Sequence, residues 1–457
     1  MAGLAEDMIP LYPLYAVLFA DPVAGGGLSP AAISSLFVIW SLTSVLAEIP
    51  SGLLADRYSR RALLTVGPLL VGSGFVLWVG WPCYPVFATG FVLWAVGGSL
   101  RSGAIQALVY DELDLHGRAA RFPAVWGRVR AMQAAGMLIG TAVAAPLFAV
   151  GGYPAVGIAS GAACVLCASA SACLPETRRS GTRRSGARRS GARRSVGTGD
   201  GLTSDVDDGE TQQLSDHAQP MGWRAVGADA LRQVQAHAAV RAALILVIAL
   251  TGVAALDEYL PLLADEMVTG GTSSATGHGA AVGIPLLMLV IAIGDMIGNL
   301  CAGRSADRGA VSRRRLGRCL TVGSLALLAG ALIDHPIGIV GVAVGFGVFS
   351  WSLVVAESAL QDRVSSASRA TVTSVAGVGE EAVAILAFAL WAGGSAVAGP
   401  AVLFAIAVVP YVLWGAAMWA SVARSRSGST TRCQSGGATT SRTAARWPKI
   451  ISRRSPM

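Results

Sequence analysis

The chain carries one pattern twice, at a constant offset of 251 residues. Gly52, Ala55, Asp56 and Arg57 recur as Gly303, Ala306, Asp307 and Arg308. Pro10-Leu11 recurs as Pro261-Leu262, and the acidic pair Glu6-Asp7 as Asp257-Glu258. Asp111 falls on Asp362, and Arg118-Ala119 on Arg369-Ala370, with no gap between the matched points. A chain built this way must pack two copies of one unit about a pseudo-symmetry axis.

Composition says where those units reside. Hydrophobic residues make up 53% of the chain and charged residues 14%, and the mean hydropathy is +0.58. A water-soluble domain needs a more polar surface. The apolar segments run to about 20 residues, enough helix to cross a hydrocarbon core of about 30 Å. Backbone groups find no water there, so helices are the expected spanning element. The alternating segments of a transmembrane barrel are absent from the sequence.

Twelve spans are predicted, near 4–21, 31–53, 62–81, 86–108, 125–149, 153–174, 242–264, 281–302, 317–334, 337–358, 371–392 and 398–420. The expected fold is an all-α integral membrane protein of twelve transmembrane helices in two pseudo-symmetric six-helix halves. Residues 1–175 form the N-terminal half and 240–423 the C-terminal half. Between them, 176–239 reads as a disordered cytoplasmic linker. There Arg178-Arg179-Ser180 is followed by copies at five-residue spacing up to Arg193-Arg194-Ser195, and then by Asp205, Asp207, Asp208 and Glu210. Such low complexity supports a solvated linker; docking of its arginines on anionic headgroups is the other reading. The tail, 424–457, reads as disordered too.

Arginine sorts by loop. Arg57, Arg60 and Arg61 follow the second span, Arg118 and Arg121 the fourth, Arg304, Arg308 and Arg313 to Arg315 the eighth, and Arg363 and Arg369 the tenth. The alternate loops carry no Lys or Arg. The positive-inside rule then puts both termini in the cytoplasm, which an even number of spans also requires. The net charge of +8 and pI of 9.4 therefore reflect topology and give no sign of a nucleic-acid partner. Seven cysteines, mostly in apolar segments, give no disulfide framework, and Cys164-x-x-Cys167 reads as helix packing. The five histidines lack metal-ligand spacing, and no nucleotide-binding loop is present. No cofactor, metal or enzymatic activity is expected.

The segment from Gly52 through Asp56 and Arg57 to Arg60 and Arg61 resembles the signature loop of the major facilitator superfamily, G-x-x-x-D-R-x-G-R-R. Ser59 stands where that pattern has glycine. The second copy, Gly303, Asp307 and Arg308, has extra residues before Arg313. The resemblance covers all but linker and tail. It implies that Gly52, Asp56, Arg57, Arg60, Arg61, Gly303, Asp307 and Arg308 form a cytoplasmic latch between the halves. It also implies that spans one, four, seven and ten line a central cavity.

Charges inside spans are costly and mark function. Arg101, in span four, lies where proton-antiporting members of the superfamily often carry an arginine; a structural ion pair is the alternative. Glu6, Asp7, Asp257 and Glu258 are cavity or coupling candidates, because leaving water favours the neutral carboxyl group. Glu357, matched to Gln106, is a further candidate. Asp295, one turn before Asn299, is assigned to the latch. Tyr12, Tyr15, Trp40, Trp94, Tyr259 and Trp351 are the available aromatic contacts. Gly136, Gly140 and Pro146 do not have the spacing of the drug-antiporter motif in span five, and Glu380-Glu381 fits no motif.

The function expected is secondary-active transport of a small molecule by alternating access, with proton-coupled export first and import second. A non-transporting receptor of the same fold is the rival class. The resemblance points to an actinobacterial efflux-like branch and to a monomer in the lipid of a bacterial inner membrane. Glu6 and Asp7 lie almost at the terminus, whereas Asp257 lies about 22 Å of helix into its span. The expectation is that the native chain starts upstream of Met1.

Overall fold

A computed structural model describes residues 2–57, 59–118, 121–174, 238–270, 278–307, 311–364 and 369–430. Almost all of the expected linker, and the chain beyond 430, lie outside the described residues. Every regular element described is helical. Nine helical stretches among the described residues are long and apolar enough to cross a membrane, and one of them, Val125–Ala172, has 48 residues. The protein is therefore an all-α, multi-pass membrane protein.

The chain opens with α1 (Ala2–Glu6), a turn, and α2 (Tyr15–Ala20). Then come α3 (Pro30–Arg57), α4 (Arg60–Gly80) and α5 (Tyr84–Leu115). Next, α6 (Phe122–Ala172) is two helices joined at Gly151 and Gly152. Gly152 has φ +60°, which favours glycine, so the break falls where the sequence expects a turn. The second copy comprises α7 (Ala238–Ala254), a 3-10 turn (Ala255–Tyr259), α8 (Leu260–Thr269), α9 (His278–Asp307) and α10 (Arg313–Leu332). It ends with α11 (Ile339–Gln361), α12 (Arg369–Gly394) and α13 (Pro400–Thr430). The last of these runs into the segment expected as a disordered tail.

Two expected spans are not continuous helices. Span 4–21 is broken between α1 and α2, and span 242–264 is broken by the 3-10 turn. Both breaks fall at the acidic pairs, Glu6-Asp7 and Asp257-Glu258. The cause is the matched proline that follows each pair. Pro10 and Pro261 have no N–H to give to the carbonyls of Glu6 and Asp257, four residues back. The Asp257 carbonyl instead accepts from Leu260 N–H in a tighter turn. In the first copy the Leu11 N–H leaves the helical ladder and donates to Ser160 Oγ at 3.0 Å.

The repeat is visible in the packing. In the first copy α3 packs on α5, α4 on α5 and α6, and α1 on α6. In the second, α9 packs on α11, α10 on α11 and α13, and α7 on α12. These are the same pairs, shifted. The copies meet through α3 with α12 and α6 with α9, which the shift also exchanges. One large core takes side chains from both copies, including Phe37, Tyr259, Phe388 and Trp391. Two smaller cores lie towards the loops that carry the signature motifs. One, around Leu63, Leu100 and Leu108, belongs to the first copy; the other, around Leu316, Trp351 and Met418, belongs to the second. The ring contacts that join the copies in the large core, Phe37 with Tyr259 and with Phe388, lie at the end opposite the motif loops.

Close helix approach depends on particular glycines. A Cβ on Gly67 would stand 2.7 Å from the Gly97 carbonyl oxygen and 2.8 Å from Arg101 Cγ, whereas one on Gly98 would meet nothing within 4 Å. Gly67→Ala should therefore lose about 1–3 kcal/mol through overpacking. Gly98→Ala should gain up to about 1 kcal/mol from helix propensity. Thermal midpoints in detergent, read by size-exclusion fluorescence, check the contrast; equal midpoints would refute the tight α4–α5 contact.

Candidate functional site

Arg101 organises the first copy. It is 5% exposed, on α5, and its Nη2 lies 2.5 Å from Glu6 Oε2 at the end of α1. Its Nη1 donates to Cys167 Sγ at 2.9 Å, and the Cys167 thiol donates to the Ala2 carbonyl at 3.4 Å. Gly67 leaves room for the arginine stem. One guanidinium thus ties α1, α4, α5 and the second part of α6. Of the two readings of Arg101, the ion pair is the geometry present. Cys167 does more than pack, because it accepts a charge-assisted hydrogen bond.

Asp7 lies within electrostatic reach of Glu6, Arg101 and Arg130. Arg130, on α6, stands 5.6 Å over the Trp126 ring and also acts on Glu357 of the second copy. It thus faces carboxylates from both copies. Sequence reasoning missed it, although it falls inside the predicted span 125–149 and meets the criterion that singles out Arg101.

The second copy is charged differently. Asp257, at the helix break, keeps an exposed side chain. Neither Asp257 nor Glu258 has a hydrogen-bond or ion-pair partner among the described residues. The charged neighbour acting on Asp257 is another acid, Asp295. The offset explains the difference. Arg101 falls on Ser352 and Arg130 on Glu381. Ser352 is fully buried and bonds only within its own helix, to the Val348 carbonyl. One copy therefore pairs its acids with two arginines, and the other replaces those arginines with a hydroxyl and a further acid.

The other candidates separate by position. Asp295 bonds Ser350 of α11 and accepts from Asn299 Nδ2 at 3.0 Å. It also acts electrostatically on Asp257. Glu357 is exposed, in reach of Arg130 and Glu380. Glu381 lies near the buried Ser41 of α3, across the contact between copies. Tyr12 stacks on Trp94 at 5.4 Å and senses Glu6, Asp7 and Glu258, so it borders the acids of both copies. Tyr15 and Trp40 pack on Trp94. Trp351 sits at the motif end instead, donating to Ser305 Oγ at 3.1 Å.

At the opposite end Tyr259 joins the copies. Its hydroxyl lies 2.7 Å from Ser34 Oγ, and its ring stacks on Trp391 at 4.1 Å and meets Phe37 edge-on at 5.3 Å. At the motif end, Gly52, Asp56 and Arg57 form the last turns of α3, and Gly303 and Asp307 those of α9. The side chains of Asp56, Arg57 and Asp307, and all of Arg308, lie outside the described residues. Arg60 and Arg61 open α4 behind Ser59. Ser59 turns the chain at φ −63° and caps the helix by accepting from Ala62 N–H at 3.2 Å. Ser312 caps α10 in the same way, accepting from Arg315 N–H at 3.2 Å. The glycine of the motif is thus replaced by a helix cap that needs no positive φ. Among the described residues no group of His, Cys, Asp or Glu is arranged to hold a metal ion.

The comparisons with known proteins agree with this architecture. Solved structures of a nucleoside transporter, NupG, match with a TM-score of 0.63 at 11% identity, over 92% of this chain and 96% of that one. A bacterial homolog of the human lysosomal transporter Spinster, inward-facing and unoccupied, matches with a TM-score of 0.61 at 15% identity, over 91% and 95%. A POT family transporter in complex with 5-aminolevulinic acid matches with a TM-score of 0.61 at 11% identity, over 91% and 93%. At these identities the likeness is one of fold. No curated protein matches the chain. The family model described as Major Facilitator Superfamily matches residues 8–377. The chain belongs to that superfamily, and its function is secondary membrane transport of a small molecule rather than enzymatic catalysis.

Proposed function

We propose that the protein is a proton-coupled exporter of a small molecule, working by alternating access with twelve spans in two six-helix halves. The observation that carries the coupling is the charge asymmetry at matched positions. Asp257 and Glu258 sit at a helix break with no cation beside them, where Glu6 and Asp7 have Arg101 and Arg130. A carboxylate enclosed by protein without a counter-ion is stabilised by taking up a proton, and water access lets it release one. The second copy carries the proton; the first copy's acids, held by arginine, keep the pocket rigid. Arg130 is the mobile counter-charge between Asp7 and Glu357. The monomer sits in a bacterial inner membrane with both termini cytoplasmic, as the arginine-rich loops favour. The arginine bias of the chain fits the actinobacterial efflux-like branch.

The ring and hydroxyl contacts between the copies at the end opposite the motif loops favour a cavity open to the cytoplasm. Tyr259, Ser34, Phe37 and Trp391 then form the closed outer gate. Asp56, Arg57, Arg60, Arg61, Asp307 and Arg308 form the latch that closes the other end when the outer gate opens.

Transport of a fluorescent substrate panel into proteoliposomes under an imposed pH gradient tests the function. D257N/E258Q should lose gradient-driven flux at least about tenfold, because each group loses a proton worth more than about 1.4 kcal/mol of coupling. Downhill exchange should persist. An unchanged pH dependence would exclude these acids as the coupling site.

Arg101→Ala strands the Glu6 carboxylate and should cost about 3–5 kcal/mol of stability. R101A/E6Q should recover part of that loss, as measured by thermal midpoint. A double variant no more stable than Arg101→Ala would show that the pair is not coupled.

Asp56→Asn should insert normally yet lose most flux, since it removes the latch charge and no core contact. Near-normal flux at equal membrane levels would sink the latch role.

A further inference from the structure

A groove on the flank of the second copy takes no part in this cycle. It lies between α10 and α11, with a volume of about 670 Å³. Arg314, Arg315 and Arg318 line one end, and Cys319, Val322 and Val348 continue it along the helices. The three arginines fall within five residues at the start of α10 and have no carboxylate partner among the described residues. Two are held in place by aromatic faces. Arg315 stands 5.9 Å over the Trp351 ring, and Arg318 stands 5.9 Å over the Trp419 ring. Stacking uses the face of a guanidinium and leaves its N–H edge to donate. Arg314 Nε is shut off from water and has no hydrogen-bond partner among the described residues.

The groove is amphipathic along its length. A soluble anion would match the arginines but gain nothing from the apolar continuation. An acyl chain alone would leave the arginines unmet. Val322 is 62% exposed and faces outward from the bundle, so the apolar part lies open to lipid. We propose that this groove binds one anionic phospholipid. Its phosphate accepts from Arg314, Arg315 and Arg318, and an acyl chain lies along Val322 and Val348. Guanidinium forks match phosphate oxygens, and basic pockets between helices at the headgroup level suit this occupant. In the orientation proposed above the lipid belongs to the cytoplasmic leaflet, but the binding itself depends on neither orientation nor transport.

Native mass spectrometry of the full chain, released from detergent and titrated with phosphatidylglycerol, phosphatidylcholine or inorganic phosphate, reads the adducts. The parent chain should retain one phosphatidylglycerol at concentrations where phosphatidylcholine is lost. R314Q/R315Q/R318Q should weaken that adduct on the order of 10- to 100-fold. Val322→Trp, which fills the apolar part and keeps all three charges, should weaken it as well. Arg363→Gln, at the same end but outside the groove, should leave it unchanged. Equal retention of the two lipids by the parent chain would overturn the proposal, as would full phosphatidylglycerol binding by the triple variant. Inorganic phosphate occupying the site as well as the lipid does, or lipid binding unaffected by Val322→Trp, would overturn the lipid assignment in favour of a free anion. If the triple variant does not fold, the parent's choice between lipids and the Val322→Trp result decide.

Discussion

Arg101 carries a full charge in the interior of a helical bundle, where a charge is tolerated only if it is paired where it stands. Its partners set the geometry of the first copy. Glu6 ends α1, Cys167 holds the second part of α6, and Gly67 sets how closely α4 approaches. Moving α1 away from α5 would strand a charge, and moving α6 would take a hydrogen bond from it. The first copy is therefore built to move as a body, which is what rocking of one repeat against another requires.

The second copy is built on the same plan with that constraint removed. Ser352 occupies the position of Arg101, satisfied by its own helix, and Glu381 occupies that of Arg130. The acids at the break between α7 and α8 are left to find another compensation. The break itself is common to both copies and is set by Pro10 and Pro261, so the helical ladder is interrupted in both. Duplication supplied the geometry twice, and divergence at two matched positions left arginines beside the acids of one copy and none at the matched positions of the other.

Much of this was legible in the sequence because the repeat is strict. The offset, the apolar segments and the arginine-bearing loops depend on composition and periodicity, which the bilayer constrains strongly. The breaks at Glu6-Asp7 and Asp257-Glu258 escaped, although Pro10 and Pro261 were already matched. Hydropathy is blind to a missing N–H, and a proline in an apolar run reads as apolar. Arg130 escaped because it lies near a loop crowded with arginines, and only its partners across the cavity set it apart. The bonds of Asp295 to Ser350 and Asn299 follow its helix face, which sequence distance along α9 does not reveal. The Ser59 cap was foreshadowed by the need to turn without glycine, but its twin, Ser312, lies two residues off the repeat and could be found only in the fold.

In the proposed cycle, the gate at the end opposite the motif loops is the part that must yield. It consists of one hydroxyl pair, Ser34 with Tyr259, and ring contacts among Phe37, Tyr259, Phe388 and Trp391. Such ring pairs contribute about 0.5–1.5 kcal/mol each beyond their buried area. A hydrogen bond adds about 0.5–1.5 kcal/mol net. The gate is thus held by a few kcal/mol, in contacts without net charge. The latch proposed for the other end, if built from a few charge-assisted bonds, is of the same order. Two states separated by so little can both be populated, and the differential affinity of a proton or a substrate is enough to choose between them. A gate closed by buried ion pairs would have been too costly to open and reclose in each cycle. The copies therefore meet across aromatic rings at this end, and the strongest charge pair, Glu6 with Arg101, stays inside one copy, where the cycle never has to break it.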